Sequence, residues 1–143
     1  MRKASWIVLT LAGVAVTLIS LISAAHAYNK KDNYGIGGMS VSKVAADREA
    51  VATALRGIRG TSAAFATAYG VLFLIIVLAP YRRGDVWAWW ALLASSAVLL
   101  IMSVLRIPFL HLTAGAETSG IFFGVTLVGL LLDVRRLGRR VPA

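Results

Sequence analysis

The chain contains no cysteine. Disulfides, thiol redox chemistry and cysteine-ligated metals are therefore excluded. Acidic residues are scarce, 6 against 15 basic ones, for a net charge of +9. Histidine occurs only twice, at His26 and His111, and proline three times. No phosphate-cradling glycine motif, zinc-ligand spacing or nucleophile triad is present. Gly35-Ile36-Gly37-Gly38 is too short to serve as a nucleotide loop. Nothing in this inventory points to an enzyme.

What the chain does have is apolar length. Of its 143 residues, 59% are hydrophobic, and the mean hydropathy is +0.79. A membrane span needs about 20 predominantly apolar residues to cross a hydrocarbon core about 30 Å thick. Four stretches meet that description, at approximately 6–27, 61–79, 86–105 and 113–132. They leave little chain for a soluble domain. The reading is one integral membrane domain over 1–143: an all-α protein built as an antiparallel four-transmembrane-helix bundle. A surplus of basic residues in a soluble protein would suggest nucleic acid. Here they flank the spans, where they meet headgroups and set topology.

Ala25-His26-Ala27 has the small-x-small form of a signal-peptide cleavage site. The apolar stretch before it exceeds the 7–15 residues or so of a signal core, which favours a retained span. Residues 28–60 form an outer connector. Its first part is rich in Gly, Asn and Asp, which favour turns. From Val44 to Ile58 the apolar residues Val44, Val51, Leu55 and Ile58 fall at helical spacings, so a short amphipathic segment should lead into the second span. Gly57 and Gly60 would mark a bend at that junction. Pro80 to Asp85 reads as a tight turn, making spans two and three neighbours. Trp87, Trp89 and Trp90 open the third span in the manner of a headgroup belt. Pro108 should end the third helix, and Thr113 should cap the fourth.

Arg-Arg pairs at 82–83, 135–136 and 139–140 lie close to span ends. They place both termini in the cytoplasm, in what reads as a bacterial plasma membrane. The tail 133–143 carries Arg135, Arg136, Arg139 and Arg140, which suit anionic headgroups or an acidic partner.

With that topology Arg56, Arg59, Arg106, Glu117, His26 and His111 fall at the outer end. Gly60, Ala64 and Ala68 recur every four residues, as do Ala66 and Gly70, so small faces suited to close helix packing are expected. Glu117 shares a face with Gly120 and Gly124 and should point into the bundle, against the second span. A carboxylate there needs a partner. Arg59 or Arg106 could supply a planar fork. The group is either a structural ion pair or a ligand site, with spare positive charge to hold an acidic headgroup or carboxylate. His26 and His111 could in principle ligate a haem or metal, but they read as interfacial polar residues.

The Leu55-Arg56-Gly57-Ile58-Arg59-Gly60 segment, Gly70-Val71-Leu72-Phe73, Leu105-Arg106 and Glu117-Thr118-Ser119-Gly120 resemble the small DoxX-like four-helix membrane families. The resemblance covers roughly 55–132. It implies a fold more than a function; quinone-linked oxidation is associated with some members. The long connector before Lys43 departs from the pattern.

Three functions fit these features. The first is an accessory or assembly subunit docking on a larger membrane complex, or on itself. The second is a bundle binding a lipid, quinone or small hydrophobic ligand near Arg59, Arg106 and Glu117. The third is a homo-oligomeric transporter or channel, which the scarcity of polar residues in the spans disfavours.

Overall fold

The computed structural model describes residues 2–29, 35–36, 39–46, 48–111 and 115–134. The chain is overwhelmingly helical: α1 (Arg2–Tyr28), β1 (Gly35–Ile36), β2 (Met39–Ser40), α2 (Val41–Ala45), α3 (Glu49–Ile76), a π-helical turn (Val77–Tyr81), α4 (Val86–Val104), α5 (Arg106–Leu110) and α6 (Ala116–Leu131). Three segments are long and apolar enough to cross a membrane: Ala4–Tyr28, Glu49–Tyr81 and Val86–Phe109. The fourth expected span is shorter. α6 has 16 residues, about 24 Å at a rise of 1.5 Å per residue. Its start is set by Gly115, whose φ of +91° is a conformation that suits glycine. Thr113, expected as the cap, lies outside the described residues.

Two compact units divide the chain, Ala15–Val71 and the pair Met1–Val14 with Leu72–Ala143.

In the unit Ala15–Val71, the connector contains a two-residue antiparallel ladder pairing Gly35 with Ser40 and Ile36 with Met39. α2 follows directly and ends at Ala46, whose φ is +45°. The amphipathic segment then splits differently from the sequence expectation. Val44 belongs to α2, while α3 starts at Glu49 and runs unbroken through Gly57 and Gly60. The two glycines do not interrupt this helix, and Gly60 is held by packing. A Cβ at Gly60 would stand 2.8 Å from a ring carbon of Tyr28, and one at Gly70 would stand 3.2 Å from Thr17 Cα. Close approach of α1 and α3 in this unit therefore uses Gly60 and Gly70. Ala63 is buried with them, whereas Ala64 and Ala68 are exposed. The buried positions advance by three and seven, the true 3.6-residue period. A strict four-residue stripe drifts off the contact.

In the other unit, the apolar face of 72–81 continues through buried Phe73, Val77 and Tyr81. Pro80 sits inside the π turn. Proline has no N–H and crowds the carbonyl four residues earlier, and the wider π turn accommodates it. The helical path thus passes through Pro80 and closes only at Gly84, whose N–H, like that of Asp85, bonds the Pro80 carbonyl. α4 and α6 pack along their lengths: Trp89 near the start of α4 bonds Leu130 near the end of α6, and Ser103 near the end of α4 bonds Ser119 near the start of α6. Phe73 stacks at a tilt on Phe122 with ring centroids 5.3 Å apart. Gly13 and Gly129 are the close-approach glycines here, against Leu74 and Leu9 respectively. Gly120 and Gly124 are not, for among the described residues a Cβ at either would meet nothing within 4 Å. The close-approach role expected of Gly120 and Gly124 is therefore not seen among the described residues. Pro108 does not end a helix either. It lies within α5, after a break at Leu105, in the first turn where the missing N–H costs no helical bond.

Candidate functional site

The outer-end residues expected to form a site are distributed over both units. Within Ala15–Val71, Arg56 and Arg59 are half-buried on α3. Arg59 Nε donates to Ser23 Oγ at 3.2 Å, so this arginine is directed at a helix hydroxyl. His26 is exposed in the last turn of α1, where a basic group complements the helix C-terminus.

Within the other unit, Arg106, His111 and Glu117 are all exposed. A Cβ on Gly115 would stand 3.7 Å from Arg106 Nη1, which puts the guanidinium beside the start of α6. Ser103 Oγ and Ser119 Oγ, 2.8 Å apart, tie α4 to α6 at this end. Glu117 occupies the first turn of α6. It does not point into a packed interior, and among the described residues no ion pair joins it to Arg106. The physical reason is its address. A carboxylate in the first turn of a helix faces unsatisfied N–H groups and the positive end of the helix dipole. Exposure supplies the remaining solvation, so an arginine is not required. Among the described residues no cluster of three or more His, Asp or Glu could hold a metal. His111 closes α5 with φ +52°. Arg135, Arg136, Arg139 and Arg140 lie outside the described residues.

A second cluster, which sequence reasoning missed, is built at the opposite end of this unit. Ser5 Oγ donates to the carbonyl of Gly129 at 2.7 Å, and Tyr81 Oη lies 2.6 Å from the same Ser5 oxygen. Ser5 has one proton and gives it to Gly129, so the Tyr81 hydroxyl donates to Ser5. The chain of donors runs from Tyr81 through Ser5 to Gly129. Trp89 Nε1 donates to the next carbonyl, Leu130, at 3.1 Å. Both acceptors belong to the last turn of α6, where carbonyls run short of helical partners, although the Leu130 carbonyl also accepts the Asp133 N–H at 3.1 Å. Side chains from α1, the π turn and α4 thus cap the end of α6. Ser5 and Tyr81 are both 0% exposed, and Asp133 beyond them is 8% exposed. Thr126, one turn before Gly129, is fully buried, and its hydroxyl has no hydrogen-bond partner among the described residues. Arg82 lies over Trp6, with Cζ 5.1 Å from the ring centroid.

The signal for this cluster was present in the spacing. Ser5 precedes buried Leu9 and Ala12 by four and seven residues, and Tyr81 follows Phe73 and Val77 by eight and four. A polar residue in register with a core stripe is a candidate for buried hydrogen bonding. Chemically the cluster is a cap and clamp. Ser5 contacts a phenol and an amide carbonyl, neither of which is a base that would activate it as a nucleophile.

Comparison of the chain with protein-family models, with curated proteins and with solved structures finds no match.

Proposed function

We propose that the chain is an integral protein of a bacterial plasma membrane, folded as an antiparallel four-helix bundle with both termini cytoplasmic. In this reading it is an accessory or assembly subunit that docks on a larger membrane complex, and its likeness to the DoxX-like families is one of fold. Three apolar helices of spanning length support the membrane assignment. The docking role rests on one observation. A Cβ at Gly13, Gly60, Gly70 or Gly129 would meet a neighbouring side chain within 3 Å, whereas among the described residues one at Gly120 or Gly124 on α6 would meet nothing within 4 Å. Close-approach glycines in lipid serve helix contacts, and among the described residues nothing lies within 4 Å of a Cβ at either of these two. Ile121 and Val128 beside them are also exposed.

A second reading, binding of a lipid, quinone or small hydrophobic ligand, is favoured by exposed Arg106 and Glu117 around the start of α6.

The test is extraction in mild detergent followed by sizing, together with Gly124→Cys in this cysteine-free chain. Docking predicts a particle larger than one chain and a crosslink from position 124 to another polypeptide. A lone monomer carrying a bound lipid or quinone would overturn docking in favour of the second reading.

A further inference from the structure

We propose that the turn between Pro80 and Asp85, together with Trp6, binds the phosphate of an anionic phospholipid headgroup. The proposal rests on the membrane assignment above and not on the docking role.

Arg82 and Arg83 are both exposed, and among the described residues neither forms an ion pair. Arg82 is not loose. Its guanidinium lies over the Trp6 ring at 5.1 Å. A cation over an indole face keeps its N–H edges outward, where the planar fork can donate two parallel bonds to phosphate oxygens. The backbone of the turn is occupied, since the N–H groups of Gly84 and Asp85 both bond the Pro80 carbonyl. Recognition therefore falls to the side chains.

The surroundings fit a lipid better than a free anion. Trp87 and Trp90 are 58% and 56% exposed in the first turns of α4, three residues apart and on one side of the helix. Exposed tryptophans at a span end sit at headgroup depth, which puts the arginines in the plane of the phosphates. Asp85 is exposed as the N-cap of α4 and opposes anion binding. The two arginines outnumber it, and Asp133, the other acid at this end, is buried.

The test is native mass spectrometry of the full-length protein in detergent, titrated with phosphatidylglycerol or phosphatidylcholine. The parent should hold phosphatidylglycerol more tightly. Arg82→Gln should lower that affinity about fivefold, the worth of one basic residue near an anionic surface. Trp6→Leu leaves every charge in place and should lower it about two- to fivefold. Arg82→Lys should fall between parent and Arg82→Gln, because charge survives and the fork does not. Phosphatidylcholine affinity should stay the same throughout. If Arg82→Gln fails to fold, Trp6→Leu carries the test alone. Unchanged phosphatidylglycerol affinity in Trp6→Leu would overturn the clamp. Displacement of the lipid by excess inorganic phosphate would overturn the lipid assignment and leave a free-phosphate site. Release of the parent protein from membranes by alkaline carbonate would refute the membrane assignment itself, a failure distinct from equal affinities in parent and variants.

Discussion

The hydroxyl of Tyr81 lies 2.6 Å from that of Ser5, and Ser5 donates in turn to the carbonyl of Gly129 at 2.7 Å. Residues 5, 81 and 129 belong to three different helical segments, so this relay joins parts of the chain that are far apart in sequence. Its two bonds differ in what their loss leaves behind. Ser5→Ala strands both the Gly129 carbonyl and a bond of the Tyr81 hydroxyl in a buried setting, for a cost of about 1–3 kcal/mol. Tyr81→Phe leaves the Ser5–Gly129 bond intact and should cost about 1 kcal/mol. Thermal unfolding of the two single variants and the double variant is the check. Additive losses, with no coupling between positions 5 and 81, would show that the relay does not act as a unit.

The glycines divide into two sets that should respond oppositely to alanine. At Gly70 the added methyl would press on the Thr17 backbone, and at Gly129 it would stand 2.7 Å from Leu9 Cδ2. Each substitution should destabilise by about 1–3 kcal/mol through overpacking, more severely at Gly70, where backbone must move. Gly120→Ala and Gly124→Ala meet nothing and gain up to about 1 kcal/mol of helix propensity each. Melting temperatures in detergent for all four single variants test the division. A loss at Gly124 as large as that at Gly70 would mean that position 124 is packed.

Thr126 is the one fully buried hydroxyl without a hydrogen-bond partner among the described residues. Thr126→Val keeps the shape and removes the unsatisfied group. Stability should rise by roughly 1 kcal/mol, readable as a higher unfolding midpoint. A fall of the same size would show that the hydroxyl has a partner after all.

Glu117 should be easy to neutralise. In the first turn of α6, and exposed, it contributes at most about 1 kcal/mol through the helix N-terminus. Glu117→Gln should therefore cost far less than the roughly 3–5 kcal/mol of a broken buried ion pair. The cost should shrink further as salt is raised. A large, salt-insensitive loss would restore the buried-pair reading.

Much of this protein was legible in its residues, because hydropathy is a local sum. The spans corresponding to α1, α3 and α4 emerge from runs of about 20 apolar residues without any knowledge of neighbours. Glycine-rich close approach in the second span was also foreseeable, and Gly60 and Gly70 both serve it. The choice of face was not. Two four-residue stripes were visible, and the packed one, Gly60 with Ala63 and Gly70, follows neither, because a helix face is selected by the surface it meets.

The same distinction runs through the candidate sites. Glu117 looked buried because it shares a stripe with Gly120 and Gly124, yet it is exposed, and among the described residues a Cβ at either glycine would meet nothing within 4 Å. Ser5 and Tyr81 belong to no recognisable motif, yet they are fully buried. By itself the sequence determined an all-helical, strongly basic chain with apolar segments of spanning length, since composition and period depend on nearest neighbours alone. Only the tertiary structure decided which glycines are filled, which hydroxyls are buried and which charges stay exposed, because each of those properties belongs to a pair of surfaces and is written on neither strand of sequence separately.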